Sequence, residues 1–375
     1  MTEIFYTLLN MIFGLLPIQK KKIFFLSYYG SQYGCNPKYL SEYLTKNCQG
    51  WSVVWGFTQP EKYEIDGIRK VRYLSWRYFY ELCTSQVLIT NYRMTKNYRK
   101  RKGQLYVQTW HSSLRLKMIE GDTVQTLEPN YVEMAKRDSA QIDILLSGCK
   151  YSTEIFRRAF WYSGPIIPTG TPRVDLLYSN DINKRELILK KLGLTSDSHV
   201  VLYAPTFRKD NSLECYNIEY SRLISSLSER FGGKWQVLLR LHPHLQNYSK
   251  QLVDKDIFIN DVTSYDDIQE LLYISDCVIS DYSSLVFDYS LTKRPCFLYA
   301  SDLKEYTSKD RSLYFNIHEL PFPLSTNNDE LNSLIIAYDE NIYKQKLHLF
   351  HQSIGSFETG HACQNVVNYL REKTV

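Results

Sequence analysis

Short apolar runs alternate with longer segments of mixed polarity along most of the chain. The runs are rich in Val, Ile and Tyr, which is typical of buried strands, and the longer segments repeat their apolar residues with the helical period. In the first half, the pattern predicts strands in KIFFLSYYG (22–30) and at 52–57, 86–91, 104–110 and 142–148. The helices predicted between them lie at 75–85, 128–141 and 153–160, and one more begins with Asn36 and Pro37 at its cap and first turn.

The alternation continues through the second half, after a helix rich in Lys and Arg at 182–192. Strands are predicted at 200–205, 235–242, 257–261, 276–282 and 295–300. Helices are predicted at 219–231, 266–274, 284–291, 328–336 and 361–371. Strands separated by helices favour parallel sheets that are covered by helices on both faces.

The length of 375 residues exceeds what one ordinary core supports, so two domains are expected. A change of composition at GTPRVD (170–175) sets their boundary. We predict an α/β protein of GT-B type, in which two doubly wound Rossmann-like domains face a cleft and hold ligands beyond the carboxyl ends of their strands. The predicted parts are an N-terminal segment (1–22), a first domain (23–175) and a second domain (176–375) whose last helix is able to cross back.

The N-terminal segment contains the apolar run IFYTLLNMIFGLLP (4–17), followed by Lys20, Lys21 and Lys22. The run is too short to span a bilayer, and its positive charges follow it, whereas those of a signal peptide precede the apolar region. This order favours an interfacial helix on the cytoplasmic face of the cell membrane, where lysines meet anionic lipids. The alternative is a first helix that packs into the core.

Charge and cysteine content exclude several classes of protein. The net charge is +5 and the Lys and Arg residues are dispersed, so no nucleic-acid partner is expected and an anionic small ligand or membrane fits better. The eight cysteines form no CxxC pair, which favours reduced thiols in the cytosol. The motifs GxxxxGK[ST], GxGxxG and GxSxG are absent from the sequence, so kinase, dehydrogenase and hydrolase functions lose their usual support.

Four segments with chemically active side chains follow predicted strands, where an open α/β sheet binds its ligand. They are QTWHSSLRLKMIEGD (108–122), YAPTFRKD (203–210), LRLHPHL (239–245) and the long segment 261–299. The last contains DYSS (281–284), FDY (287–289) and KRP (293–295), and with these motifs the chain resembles the CDP-glycerol glycerophosphotransferases of teichoic acid and capsule synthesis. The resemblance extends over nearly the whole chain from Lys22.

His111 is the candidate general base, because an attacking hydroxyl must lose its proton and a His titrates near neutral pH. A lone His at a strand end is more often structural, but the resemblance implies a catalytic role. The family usually has Gly after this His, and this chain has Ser112 instead. Ser112 and Ser113 are therefore candidates on the acceptor side. Glu120 and Asp122 join them, although a solvated turn explains these two carboxylates equally well.

The second half supplies the candidate donor site. His242 and His244 flank Pro243 at a strand end, and the resemblance implies that one of them stabilises charge on the pyrophosphate or the leaving nucleotide. The alternative is a structural role, in which the side chain forms a hydrogen bond at a domain edge. The other candidates offer a hydroxyl, a cation or a helix start to phosphate oxygens. These donor-binding candidates are Thr206, Arg208, Asp281, Ser283, Ser284, Lys293 and Arg294. The alternative for the two serines is a plain helix cap.

The resemblance implies that glycerol phosphate moves from CDP-glycerol to a hydroxyl of a lipid-linked teichoic acid or capsular precursor, with release of CMP. The first domain then binds the acceptor and the second binds the CDP donor. No cofactor is expected, and the lack of a DxD cluster predicts that no metal is required. Three alternatives remain: CDP-ribitol as the donor, a GT-B glycosyltransferase that uses a sugar nucleotide, and a non-catalytic scaffold of a polymer-export complex.

Overall fold

The computed structural model describes residues 2–95, 97–208, 213, 216–245, 248, 258–309 and 312–374. Lys209 and Asp210 of the second motif lie outside these residues, as do the cysteine Cys215 and Ile257, which begins a predicted strand. The chain divides into two compact units. Unit 1 comprises Met1–Ser113, Ile119–Asp175 and Gly355–Val375, and unit 2 comprises Leu114–Met118 and Leu176–Ile354.

Unit 1 is built on a parallel sheet that has seven strands within the described part of the chain. The strands are β1 (Gln19–Leu26), β2 (Ser52–Phe57), β3 (Ile68–Arg72), β4 (Ser85–Thr90), β5 (Leu105–Gln108), β6 (Ile144–Leu146) and β7 (Ile166–Ile167). Their order is β3-β2-β1-β4-β5-β6-β7. The central strands carry unbroken runs of apolar residues because helices cover both faces of the sheet, and Val87, Leu88 and Ile89 of β4 are fully buried.

Five helices of unit 1 alternate with these strands among the described residues. They are α1 (Thr2–Gly14), α2 (Cys35–Asn47), α3 (Trp76–Thr84), α4 (Pro129–Ser139) and α5 (Lys150–Ala159). Helix α2 begins two residues earlier than predicted, after Gly34 as its cap. Asn36 is therefore inside the helix, and its side chain forms hydrogen bonds to the loop after β5 instead of capping the helix.

Helix α1 packs one face onto α3 and exposes another. Tyr6 lies against Phe79 with ring centroids 5.3 Å apart, and Leu9 is buried beside them. The exposed face is also apolar, and we call it the α1 stripe. It consists of Ile4, Phe5, Leu8, Met11 and Ile12, continued by Leu15 just beyond the helix. None of the helices in the described residues is both long and apolar enough to cross a bilayer.

The sequence suggested that the three lysines after α1 form one basic patch, but the structure separates them. Lys20 and Lys21 are exposed, but Lys22 is 1% exposed within β1. Its ammonium group lies 2.5 Å from a carboxylate oxygen of Glu81 and 2.6 Å from the hydroxyl of Thr84. A lysine buried at the start of a central strand needs such partners, so the membrane-facing role expected of Lys22 is corrected.

Unit 2 has a second parallel sheet, with six strands in the residues that the structure describes. They are β8 (Ser198–Tyr203), β9 (Lys234–Leu239), β10 (Ile259–Asp261), β11 (Cys277–Ser280), β12 (Cys296–Tyr299) and β13 (Leu324–Ser325), in the order β10-β9-β8-β11-β12-β13. The helices are α6 (Ile182–Lys191), α7 (Tyr220–Phe231), α8 (Ile268–Ile274), α9 (Leu285–Ser290), α10 (Leu303–Lys309), α11 (Asn328–Ile336) and α12 (Glu340–Ser353). The last helix, α13 (Ala362–Lys373), belongs to unit 1 and packs on α2.

Both strand orders reverse direction once, and this reversal creates a switch point in each sheet. In unit 1 it lies between β1 and β4, and in unit 2 between β8 and β11. Ligands of open α/β sheets bind outside the carboxyl ends of the strands at such a point. The two doubly wound parallel sheets confirm the predicted α/β class with two Rossmann-like halves.

Candidate functional site

The switch point of unit 1 is surrounded by the loops that follow β1, β4 and β5. Trp110 and His111 follow β5, and Trp110 has a positive φ of 51°, which is uncommon for a residue other than glycine. The backbone there is fixed by α2: Asn36 Nδ2 donates hydrogen bonds to the carbonyl oxygens of Trp110 at 2.9 Å and Thr109 at 3.2 Å. Helix α2 thus stabilises the unusual backbone conformation of the loop that presents His111.

The imidazole of His111 is half-buried and oriented by the loop after β4. Its Nδ1 lies 3.1 Å from the carbonyl oxygen of Asn91, which only accepts hydrogen bonds. The contact therefore requires the proton on Nδ1, and in the neutral ring Nε2 then carries the lone pair. The indole of Trp110 and the ring of Tyr92 pack on the imidazole at centroid distances of 4.2 and 5.2 Å. This arrangement suits proton acceptance at Nε2.

Arg173 is a second support that the sequence did not single out. Its Nη1 donates to the carbonyl oxygen of His111 at 2.6 Å, and its backbone N–H donates to Asn36 Oδ1 at 3.0 Å. The residue lies in GTPRVD, which was used in the sequence only to place a domain boundary. A basic residue directly after Pro172 was the available signal.

The acceptor-side candidates occupy different environments. Ser113 is buried, and its carbonyl oxygen accepts a hydrogen bond from the hydroxyl of Ser152 at 2.7 Å, whereas Ser112 is half-buried. Glu120 is buried and lies 3.1 Å from Arg93. Asp122 pairs with Arg158 at 2.9 Å. Both carboxylates have cationic partners, and their predicted role beside His111 stays a prediction.

Arg93 joins Glu120 to a second buried carboxylate, that of Asp138. Its Nη1 lies 3.3 Å from Asp138, and Tyr106 donates its hydroxyl to the same carboxylate at 3.0 Å. One guanidinium therefore faces two buried acids. Burial raises the pKa of Asp138 to about 6, against the opposing effect of Arg93. Nothing in the sequence pairs these residues, because they are far apart along the chain.

In unit 2, Asp281 links the two strands of the switch point. It follows β11, is 1% exposed, and accepts hydrogen bonds from the backbone N–H groups of Thr206 at 2.8 Å and Tyr282 at 2.6 Å. Because Thr206 follows β8, this carboxylate fixes the two loops relative to each other. The hydroxyl of Thr206 is half-buried at the edge where a ligand is expected.

Arg208 is buried between two carboxylates. Its Nη2 lies 2.8 Å from Asp281, its Nε lies 2.6 Å from Asp302, and Nη1 donates to the carbonyl oxygen of Thr206. The guanidinium also lies over the rings of Tyr282 and Tyr306 at about 5 Å. Most N–H donors of the Arg208 guanidinium thus have acceptors within unit 2. Asp302 follows β12 and was not recognised in the sequence.

His242 and His244 lie beyond the end of β9 with both rings exposed and their centroids 4.8 Å apart. Phe207 packs on His242 at 4.7 Å. The backbone N–H of His244 donates to His242 Nδ1 at 3.4 Å, which leaves the proton of the neutral His242 ring on Nε2. Partial burial and the adjacent His244 lower the pKa of His242. His242 is therefore a neutral hydrogen-bond donor toward solvent.

Ser283 and Ser284 directly precede the six-residue helix α9, with Ser284 at the cap position. The hydroxyl of Ser284 makes no capping hydrogen bond; it accepts one from the backbone N–H of Leu116 at 3.2 Å. The hydroxyl of Ser283 accepts from the N–H of Leu285 at 3.4 Å. Leu116 belongs to a short piece of the His111 motif that is part of unit 2.

Lys293 and Arg294 precede β12, so they lie at the amino end of a parallel strand and the other candidates of unit 2 lie at carboxyl ends. Arg294 donates to the carbonyl oxygens of Leu272 at 3.1 Å and Tyr273 at 3.0 Å, at the end of α8. A cation at this position stabilises a helix C-terminus. The structure does not bring these two residues together with Thr206, Asp281 or the His pair.

A cavity of about 820 Å³ opens beside Asp302 in unit 2. Lys304, Phe315 and His318 are among the residues that line it. Among the described residues, no group of three or more His, Cys, Asp and Glu side chains is arranged to hold a metal ion. Whether the reaction needs a metal stays a prediction from the sequence.

Comparison with known proteins adds a family and a fold. The sequence model of the CDP-Glycerol:Poly(glycerophosphate) glycerophosphotransferase family matches residues 8–372. The chain is 34% identical to the teichoic acid poly(glycerol phosphate) polymerase of Staphylococcus epidermidis, over 95% of this chain and 51% of that protein. It is 32% identical to the teichoic acid glycerol-phosphate transferase of Staphylococcus aureus, over 92% of each. The chain thus spans about half the length of the first relative and most of the second.

A solved structure of the wall teichoic acid polymerase TagF, in a variant soaked with CDPG, superposes on this chain with a TM-score of 0.86. The two sequences are 31% identical, and the superposition covers 98% of this chain and 94% of that chain.

Proposed function

Because the chain belongs to the CDP-glycerol:poly(glycerophosphate) glycerophosphotransferase family, we propose that it transfers glycerol phosphate from CDP-glycerol to a hydroxyl of a lipid-linked teichoic acid or capsular precursor. Family membership confirms the resemblance found in the sequence. The donor, the acceptor and the residue roles are our proposal. The observation that carries it is the position of His111 at a switch point, where the contact of Nδ1 with the carbonyl oxygen of Asn91 places the lone pair of the neutral ring on Nε2.

The proposed reaction is a single displacement at the β-phosphorus of the donor. The acceptor oxygen forms a bond to this phosphorus while its proton passes to Nε2 of His111. The bond between the β-phosphorus and the oxygen that bridges to the α-phosphate breaks, and CMP leaves with the electron pair. A positioned base of near-neutral pKa contributes about 10²–10⁴-fold to such a step, and charge on the phosphate oxygens must be stabilised by fixed donors.

Unit 2 is the proposed donor-binding unit. Thr206, Ser283 and the Nε2–H of His242 are its donors at the carboxyl ends of the strands. Arg208 acts here through Asp281: it holds the carboxylate that fixes the loops after β8 and β11. This role replaces the direct phosphate contact that the sequence suggested, since its guanidinium is occupied by two acids.

Unit 1 is the proposed acceptor-binding unit, and its α1 stripe is the proposed membrane contact on the cytoplasmic face. The stripe is apolar and exposed, although α1 is anchored to α3 by its other face. Lys20 and Lys21 follow it, and Arg101 donates to the carbonyl oxygen of Leu16, which places a second basic loop beside the end of the segment. Apolar side chains beside cations suit an anionic lipid surface.

The test is CMP release from a set of donors, with a short lipid-linked acceptor. We expect CMP from CDP-glycerol and expect His111→Ala to lower kcat at least about 10²-fold while the Kd of CDP-glycerol is unchanged, because a general base acts in the transition state. His348→Ala, at an exposed position of α12, is the matched control and should retain activity.

Other outcomes identify the alternatives. CMP release from CDP-ribitol alone assigns a different polyol, and UDP release from a UDP-sugar assigns a glycosyltransferase. Full activity of His111→Ala would remove the base from the mechanism, and loss of CDP-glycerol binding in that variant would make His111 a donor ligand.

A further inference from the structure

Three tyrosines surround His111 at the switch point of unit 1, and we call them the tyrosine rim: Tyr28, Tyr29 and Tyr92. Tyr28 and Tyr29 follow β1, and Tyr92 follows β4. The ring of Tyr92 lies 5.2 Å from the imidazole and that of Tyr28 lies 6.2 Å from it. Tyr29 packs on Tyr92 at 5.0 Å. All three residues are half-buried beside the proposed base.

The rim is held rigidly by its backbone. Tyr28 and Tyr29 have positive φ angles of 45° and 56°, a conformation that costs an L-residue roughly 1–2 kcal/mol. Asn91 Oδ1 accepts the N–H of Tyr28 at 3.0 Å, and the next residue, Gly30, offers its carbonyl oxygen to the N–H of Thr58 at 2.8 Å. Successive strained residues persist only where surrounding contacts impose them, and they concentrate at ligand-binding sites.

Asn91 couples the rim to the base. Its side-chain oxygen holds Tyr28, and its backbone oxygen accepts from His111 Nδ1. Asn91 is fully buried. One residue at the end of β4 therefore sets the position of the rings and the tautomer of the imidazole together. A ligand that rests on the rings is then placed at a fixed distance from Nε2 of His111.

The chemistry of the rings limits what rests on them. The face of an aromatic ring carries partial negative charge, which attracts carbon-bound hydrogens next to hydroxyl groups and disfavours phosphate oxygens. Tyrosine gives a large, stiff contact area at low entropic cost. An uncharged unit of carbon and hydroxyl groups fits this surface better than a phosphodiester does.

We propose that the tyrosine rim is the subsite for the terminal uncharged unit of the acceptor, a sugar ring or a glycerol end that bears the attacking hydroxyl. Its carbon-bound hydrogens lie on the rings, its hydroxyl points to Nε2 of His111, and the phosphates of the acceptor lie outside the rim. This inference rests on the proposed function for the identity of the acceptor, but binding to the rim does not require turnover.

The experiment uses the full chain with Tyr29→Leu and Tyr92→Leu, singly and together, beside Tyr29→Phe and Tyr92→Phe. Leu keeps apolar bulk without the aromatic face, and Phe keeps the face without the hydroxyl. Tyr178→Leu, an exposed tyrosine of unit 2, is the matched control. Two soluble acceptors with the same alkyl chain are compared, one ending in a pyranose and one in glycerol. Saturation-transfer NMR measures binding of each without donor, and CMP release gives the acceptor KM and kcat.

We expect each Leu variant to weaken acceptor binding and to raise the acceptor KM about 3- to 10-fold, with the Kd of CDP-glycerol unchanged. The Phe variants and Tyr178→Leu should stay within about twofold of the native protein. A loss confined to the pyranose acceptor identifies a sugar end, and a loss confined to the glycerol acceptor identifies a polyol end. Equal acceptor binding by the native protein and the Leu variants would overturn the proposal that the tyrosine rim is the acceptor subsite. Absence of CMP release by the native protein overturns the proposed function alone, since the NMR comparison still tests the rim.

Discussion

At the scale of residues, two of the buried arginines share one arrangement. Arg93 faces Glu120 and Asp138, and Arg208 faces Asp281 and Asp302. Each group carries one positive and two negative charges beside a switch point. Removing one member of a buried ion pair is costly because the remaining charge is left without compensation. Both arginines are therefore expected to determine the local fold more than they bind ligand directly.

The first prediction concerns Arg208. We expect Arg208→Ala to lower the free energy of unfolding by about 3–5 kcal/mol, because Asp281 would remain buried without a cation. A second change, Asp302→Asn, should recover part of the loss by removing one of the two like charges. Chemical denaturation of the single and double variants measures both values. An unchanged unfolding free energy together with weaker CDP-glycerol binding would favour the direct phosphate contact instead.

The second prediction concerns the pH dependence of Asp138. Its pKa is about 6 in the folded protein and about 3.9 in an unfolded chain, so the folded state binds more protons between these values. Its contribution to stability is therefore fully present below about pH 4 and is lost as the pH rises through 6. The loss is at most about 3 kcal/mol.

Thermal melts of the native protein and Asp138→Asn between pH 4 and 7.5 test this assignment. The difference in melting temperature between the two proteins should change across the window, because the variant has no titrating group there. Asp122→Asn, at the partly exposed ion pair with Arg158, is the control and should follow the native pH profile. Parallel profiles for the native protein and Asp138→Asn would contradict the raised pKa.

At the scale of elements, the sequence predicted the central strands well and their ends poorly. The bounds of strand β4 match the predicted strand 86–91 to within one residue at each end, because its apolar run is unbroken. The edge strands β3, β7 and β13 were missed. Two paired residues leave no periodic signal in β7 and β13, and β3 has three basic residues among its five. Helix α12 was missed as well. Its buried side is narrow, with Tyr343 and Leu347 as its buried residues, so its hydrophobic pattern is weak.

Helix α1 shows why sequence alone could not choose between a membrane contact and a core helix. Its pattern contains both faces, because Tyr6 and Leu9 pack on α3 while the α1 stripe stays exposed. Removing residues up to Pro17 would uncover α3 as well as delete the stripe, so such a truncation changes stability and membrane binding together. Substitutions on one face at a time separate the two effects.

The third prediction uses this separation. Leu8→Glu with Ile12→Glu, on the α1 stripe, should abolish flotation with anionic vesicles and leave the melting temperature unchanged, because both side chains are exposed. Leu9→Ala, on the buried face, should cost about 2–3 kcal/mol of stability and leave vesicle binding intact. Binding should weaken as salt rises, with Lys20 and Lys21 each contributing about 1 kcal/mol. Flotation of the double Glu variant would exclude the stripe as the contact.

At the scale of the whole molecule, the motifs after β5, β8 and β11 marked the carboxyl ends of strands in the sequence, whereas the switch points follow from the strand orders of the structure. Those motifs carry His, Arg and Ser residues whose chemistry stands out. The supporting residues did not stand out, because their roles arise from contacts between distant parts of the chain. Asn91 looked like the end of a strand and Arg173 like part of a boundary, yet both hold His111. Family membership then supported the class of reaction that we propose and that neither unit reveals by itself.

The last prediction follows from having one switch point in each unit, and hydrogen exchange measured by mass spectrometry tests it. CDP-glycerol at about 100 times its Kd stabilises the structure it contacts by about 2.7 kcal/mol, so amides that exchange by local opening should slow on the order of 100-fold. We expect this protection in peptides that cover Tyr203–Arg208 and Ser280–Val286 of unit 2. An acceptor ending in an uncharged unit should protect peptides around Tyr28 and Asn91 of unit 1. The reverse pattern would exchange the roles of the two units, because protection must appear where each ligand makes its contacts. The native protein without ligand is the reference for unprotected exchange. His242→Ala with CDP-glycerol is the second comparison, and this variant should lose protection in unit 2 as its donor affinity falls.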